Sequence, residues 1–417
     1  MQVVVVIPEP TCLAERSFSR LTQMICGVGL LERTLATAQR AGATDVLLIW
    51  PKSVPVEWAT PFLNSRALRK TGRVRLLQVR NFGPRTRSSW TNLGDQLEDR
   101  FLWLPWNWVT NARELSALPD LDQPPADWQT PTWISKASVV SEVVSSSSQT
   151  MPLPKGVAVT SDETAAAAER FLVAHSGKVS DGLHSSFNRW LCRPVVRWLS
   201  HTCITPNAVT FGGVIVAILS GVAYARGNYW SYVVGAVLFF IAGLFDEIDG
   251  MLARIKFADS PFGTYLESFA DSLSYLLLFG GITIGLYRQH GARELWVGGA
   301  LLIGTVLALV VTTRQRKRAA AADRPTEYLG NFYRKLEQDS SNLVSRAVRH
   351  VQGFQRRGIM IHYVLLFTVL GGLQIVFYLA TLGAHLTWTL ALYYNHRFFK
   401  QAPGAPLKQI PASQEAT

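Results

Sequence analysis

Cysteine is scarce in this chain: Cys12, Cys26, Cys192 and Cys203 are the four in 417 residues, and no two stand at CxxC or another metal-ligand spacing. That excludes a zinc finger or a disulfide-stapled scaffold and leaves reduced structural thiols in a cytosol-facing protein. Charged residues make up only 17%, and acids are the scarcer sign, 29 against 41 Lys and Arg, for a net charge of +12. The basic residues cluster beside apolar runs, as in Arg314-Gln315-Arg316-Lys317-Arg318 and Arg356-Arg357. This is the positive-inside pattern of a membrane protein, so no nucleic-acid partner is expected. No cleavable leader is expected either, because Val3 to Ile7 lacks a basic n-region and is too short for an h-region.

What is abundant is apolar sequence, 48% of the residues, and it is unevenly spread. Up to about Ser180 the composition is that of a soluble fold; from Thr205 onward the apolar runs approach the ~20 residues that span a bilayer. In the first part, β-branched Val3 to Ile7, Asp45 to Trp50, Val74 to Val79 and Phe101 to Leu104 read as strands. Leu30 to Arg40, Asn111 to Leu118 and Thr164 to His175 read as helices. That alternation predicts an α/β layer fold over residues 1–176, with the Pro- and Ser-rich stretch from Pro119 to Pro154 as its irregular end.

Residues 177–204 predict a juxtamembrane amphipathic helix, Ser185 to Leu199, with Arg189, Arg193 and Arg197 four apart on one side. Such a helix is expected in the headgroup layer, anchored to anionic lipid. Residues 205–400 predict an all-α polytopic membrane domain of about six transmembrane helices: Ala208 to Tyr224, Tyr232 to Leu252, Tyr265 to Leu286, Trp296 to Thr312, Ile359 to Leu379 and a shorter one near Leu382 to Tyr394. The basic loop from Arg314 to Gly358 is expected to hold a surface helix around Asn331 to Phe354, and residues 401–417 to form a flexible tail. Loop charge puts both termini on the cytoplasmic side.

Inside this apolar body stand four carboxylates at helical spacing. Asp246 and Asp249 are three apart near the end of the second span, and Glu267 and Asp271 four apart at the start of the third. Burying several carboxylates needs a compensating cation, so the bracket reads as an oxygen-rich site for Mg²⁺ or Mn²⁺ where two helices meet at the cytoplasmic face. Gly250 and Ala253 leave room for a ligand to approach the backbone, and Arg254 suits a phosphate oxygen. A spare carboxylate can accept a proton from an attacking hydroxyl.

The run Asp246-x-x-Asp249-Gly250-x-x-Ala253-Arg254, then Gly263-x-x-x-Glu267-x-x-x-Asp271, closely resembles the signature of the CDP-alcohol phosphotransferase (phosphatidyltransferase) family. Thr205-Pro206-Asn207-Ala208-Val209-Thr210 resembles another common element of that family. The resemblance implies a membrane enzyme of lipid metabolism that transfers a phosphoalcohol group from a CDP-alcohol, such as CDP-diacylglycerol, to an acceptor alcohol and releases CMP. By the same resemblance Asp246, Asp249, Glu267 and Asp271 are metal ligands, with Asp271 a ligand or the general base. Gly250, Ala253, Arg254, Gly263 and Asn207 line the CDP part. A bacterial or archaeal cytoplasmic membrane, membrane lipid, an acceptor such as inositol phosphate or glycerol phosphate, and a homodimer are the expected setting. Glu267 stands where the family has Asp, one methylene longer, a shift on the order of 1 Å. An impaired CDP-lipid-binding scaffold and an ion-coupled transporter are the alternatives the residues leave open.

The first part carries a second resemblance. Gly27 to Leu35, then Ala41-Gly42-Ala43, looks like the stretch that follows the phosphate-binding loop of sugar-phosphate nucleotidyltransferases. Gly177-Lys178-Val179-Ser180-Asp181-Gly182 resembles the join in bifunctional inositol-phosphate cytidylyltransferase and di-inositol-phosphate phosphate synthase proteins. Pro8-Glu9-Pro10-Thr11-Cys12 replaces the Gly-rich, Arg-containing loop needed to cradle a triphosphate, and Pro105-Trp106-Asn107-Trp108 stands where a metal-binding Asp is expected. A degenerate nucleotidyltransferase-like domain that has lost cytidylyl transfer is therefore expected.

Overall fold

The computed structural model describes residues 1–9, 19–68, 72–118, 128–140, 155–177, 183–319 and 357–398. The Pro10–Cys12 part of the first loop, the 178–182 part of the join, the surface helix expected around Asn331 to Phe354 and the 401–417 tail lie outside the described residues. The chain divides into two compact units, Met1–Ala208 with Glu247–Pro261, and Val209–Asp246 with Phe262–Thr417.

In the first unit, five strands form one mixed sheet: β1 (Gln2–Val6), β2 (Asp45–Pro51), β3 (Arg73–Val79), β4 (Arg100–Trp103) and β5 (Thr132–Ser135), in the order β3-β2-β1-β4-β5. β1 pairs in parallel with β2 (Val3 opposite Val46) and β4 (Gln2 opposite Phe101), and β5 closes the edge antiparallel to β4. Residues i and i+2 of a strand share a face, so Val3, Val5 and Ile7 enter one buried cluster with Leu31, Leu35 and Trp50. Val4 and Val6 enter another with Trp90, Phe101 and Trp103. A strand covered on both faces is apolar on both, which is why β1 reads as an unbroken Val run after Gln2.

β5 corrects the expectation of an irregular end from Pro119 to Pro154. Thr132 and Ile134 are buried while Trp133 and Ser135 are half-buried, the period of two of an edge strand, and Pro-rich flanks hide so short a signal. Helix α1 (Leu30–Arg40) covers one sheet face. α2 (Ala112–Ser116) starts at Asn111, whose side chain accepts from the Glu114 amide at 2.8 Å. α3 (Asp162–Ala174) starts at a Ser161–Thr164 capping box. α4 spans Leu183–Ser200.

Helices α5 (Pro206–Ala225), α6 (Tyr229–Ile255), α7 (Pro261–His290), α8 (Arg293–Ala319), α9 (Arg357–Val369) and α10 (Leu373–Phe398) follow. Five have segments long and apolar enough to cross a membrane: Pro206–Ala225, Tyr229–Ile255, Pro261–His290, Arg293–Arg314 and Leu373–Tyr393. The expected spans Ile359 to Leu379 and Leu382 to Tyr394 are divided differently. Gly371, at φ 75°, and Gly372 end α9 in a Schellman closure, the amides of Gly372 and Gly371 donating to the carbonyls of Phe367 and Thr368 at 2.7 and 3.1 Å. An apolar run conceals such a break unless its glycines are given weight, and α10 absorbs everything beyond. In the second unit, small residues let helices approach. A Cβ at Gly281 of α7 would fall inside contact distance of the Gly221 carbonyl of α5, and Ser220 donates to the Gly235 carbonyl at 2.7 Å.

Candidate active site and a basic cavity

The last turns of α6 carry Asp246, Asp249, Gly250, Ala253 and Arg254; Asp249 is only 5% exposed and the others are half-buried. Three residues along a helix is close to one turn, so Asp246 and Asp249 share a side. Pro261 opens α7, whose first turns present Gly263, Glu267 and Asp271, all half-buried. Asn207 lies in the first turn of α5, after Pro206, with the Ala208 amide donating to Thr205 Oγ1 at 3.3 Å. Carboxylate oxygens suit a hard divalent ion, so the donor chemistry of the four acids fits Mg²⁺ or Mn²⁺ in kind. Among the described residues, no three acidic, histidine or cysteine side chains are gathered closely enough to hold an ion as they stand.

The chain leaves α6 through a strained link. Phe257 has φ 54°, and the Ala258 amide donates to the Ala253 carbonyl at 2.9 Å, a closure that ordinarily uses Gly at the left-handed position. Guanidinium contacts hold the ring there. Arg40 lies 4.4 Å and Arg33 5.1 Å from its centroid, and Arg40 also donates to the Phe257 carbonyl at 3.1 Å. Next to it, Lys256 Nζ donates to the carbonyls of Leu199, Thr202 and Ile204 at 3.1, 2.7 and 3.1 Å, placing a cation at the C-terminal end of α4. Arg254 Nε donates to the Ser176 carbonyl.

These segments of the first unit enclose a cavity of about 480 Å³. Arg33, Arg40, Arg113, Arg189, Arg193 and Arg254 line it, against two carboxylates, Glu114 and Asp259. Asp259 already pairs with Arg40 at 3.2 Å. The basic side of α4 is thus turned inward: Arg189 and Arg193 line the cavity and Arg197 pairs with Glu169 at 3.4 Å. The outward face is aromatic, with Trp190 60% and Trp198 66% exposed and Phe187 stacked on Trp190. Sequence reading singled out the α4 arginines by their spacing but could not supply Arg33 and Arg113, which only the fold brings to them.

With this geometry in place, comparison with known proteins separates the two parts of the chain. Residues 203–370 match the family model for CDP-alcohol phosphatidyltransferase. The matched stretch holds every signature position from Asn207 to Asp271. Archaetidylinositol phosphate synthase of Methanothermobacter thermautotrophicus is 34% identical over 121 residues, 28% of this chain and 60% of that protein. The Bifunctional IPC transferase and DIPP synthase of Aquifex aeolicus is 25% identical over 228 residues, 54% of this chain and 47% of that protein. Cholinephosphotransferase 1 of Gallus gallus is 30% identical over 123 residues, 28% of this chain. The chain spans from about a third to three fifths, 35 to 60%, of these relatives' lengths. The matched stretch is thus similar to proteins whose names give different transferred groups and products.

Proposed function

We propose that the chain is an integral-membrane transferase that moves a phosphoalcohol group from a CDP-alcohol to an acceptor hydroxyl. The observation that carries this reading is the signature within residues 203–370, set at the end of α6 and the start of α7. The acceptor oxygen attacks the phosphorus that bears the alcohol. A P–O bond forms, the phosphoanhydride breaks, CMP leaves, and the hydroxyl proton passes to the Asp271 carboxylate. Arg254 holds a phosphate oxygen with its planar fork, and Gly250 and Gly263 let the nucleotide approach the helix backbone. Asp246, Asp249 and Glu267 would hold a divalent ion with Asp271, and such an ion neutralises charge on the departing phosphate. The apolar spans around the site suit a lipid donor, taken as CDP-diacylglycerol, and the basic loops suit a site on the cytoplasmic side.

The first unit is read as a nucleotidyltransferase-like domain without cytidylyl transfer, supported by Pro8-Glu9-Pro10 in place of a Gly-rich loop. The competing reading, a CDP-lipid-binding scaffold, draws on Glu267 and on the loop lost from the first unit. Purified full-length chain in nanodiscs, given CDP-diacylglycerol, Mg²⁺ and in turn inositol phosphate, glycerol phosphate and serine, decides between them. The transferase reading expects CMP release with at least one acceptor and a loss of roughly 10²–10⁴-fold in Asp271→Asn. Binding of the donor without CMP from any acceptor would leave the scaffold.

A further inference from the structure

Apart from Arg254, the basic cavity is lined by side chains to which the transfer reaction assigns no role. Arg33 sits on α1, 1% exposed, yet its Nε has no hydrogen-bond partner among the described residues; its Nη2 donates to the Ile25 carbonyl at 2.7 Å. Arg193 Nε is likewise buried without an acceptor. Burial pulls the Arg33 guanidinium down to about 10, the direction expected of a cation taken from water. Among the described lining residues, arginines outnumber carboxylates six to two. Buried polar donors without acceptors are costly, and like charges enclosed together repel. A fold that keeps both has a use for an anion.

The lining narrows the class of that anion. Guanidinium forks match the oxygens of phosphate in pairs, and Thr37, Thr110 and Asn111 add neutral hydrogen-bonding groups suited to phosphate or hydroxyl oxygens. The volume falls within the about 300–1,000 Å³ usual for small-molecule sites. We propose that this cavity binds a phosphate monoester, with Arg33 and Arg113 of the α/β sheet unit and Arg193 of α4 as its principal ligands. The phosphate is either that of a small soluble molecule or the headgroup of phosphatidic acid. Arg33 and Arg113 lie outside residues 203–370, so the site is separate from the transferase signature except where Arg254 borders it.

The test uses the full-length protein in phosphatidylcholine nanodiscs without any CDP-alcohol, so its outcome is independent of transferase activity. Inorganic phosphate and glycerol phosphate are titrated by calorimetry, and nanodiscs containing phosphatidic acid are used to compete with them. Saturable binding in the native protein, weakened roughly tenfold or more in Arg33→Gln and Arg113→Gln and retained in Asp271→Asn, is the expected result. Arg113 is exposed, so its variant keeps the measurement meaningful should the buried Arg33 variant not fold. Competition by phosphatidic acid assigns the site to the lipid headgroup; its absence, with soluble binding intact, assigns it to a soluble phosphate. No saturable binding of any of the three, or native affinity in folded Arg113→Gln, overturns the proposal.

Discussion

Glu267 is the residue at which chemistry and sequence pull apart most. Its carboxylate sits one methylene further from α7 than an Asp would, and misplacement on the order of 1 Å is enough to cost catalytic rate. Glu267→Asp is therefore expected to raise CMP release by at least about tenfold, measured under saturating donor; an unchanged or lower rate would show that the native site is built around the longer side chain. The signature residues were legible because a helix fixes their spacing. Arg33 and Arg113 were not, since about eighty positions separate Arg33 from Arg113 and about eighty more separate Arg113 from Arg193. Phe257 was equally hidden: nothing in Lys256-Phe257-Ala258 announces a left-handed aromatic residue held by two arginines.

At the scale of the element, short links and close approaches decide what holds. Asp45 opens β2 and ties the sheet together: Arg75 of β3 donates to both its oxygens, Nε at 2.8 Å, and Gln2 of β1 donates at 3.0 Å. The hydrogen bonds from Arg75 first, then that from Gln2, hold the Asp45 carboxyl below its ordinary value in spite of partial burial. A lowered carboxyl stabilises the fold above its unfolded pKa of about 3.9 and ceases to do so as pH falls through the folded value. Urea unfolding followed by near-ultraviolet dichroism is expected to show a flatter acid limb in Asp45→Asn than in the native chain. Identical limbs would mean that this carboxyl carries no linkage. Among the membrane-type helices, Gly281→Ala places a methyl against the Gly221 carbonyl and is expected to cost about 1–3 kcal/mol. Thermal unfolding in detergent would show it as a lowered midpoint, and an unchanged midpoint would mean that α5 and α7 have room to part. The helices α5 to α8 were legible from apolar length, whereas the α9–α10 break was not, because two glycines within an apolar run resemble ordinary small packing residues.

Over the whole molecule, the division into an α/β part and a helical part follows from where apolar residues concentrate, with a mixed sheet in the first and five helices long enough to cross a membrane, among the described residues, in the second. What composition could not divide correctly is the end of α6: residues 247–261, half of the signature among them, pack with the sheet unit. That grouping needs Arg254, Lys256 and Phe257 to bond or stack with partners 50 to more than 200 positions away, which no local pattern encodes. The central claim is phosphoalcohol transfer, and the label that follows the bond broken tests it most directly. With ³²P in the alcohol-bearing phosphate of CDP-diacylglycerol, the transferase account predicts that all label leaving the donor enters the new phosphodiester and that the released CMP is unlabelled. Label released as free phosphate or lost as phosphatidic acid without an acceptor-linked product would contradict it.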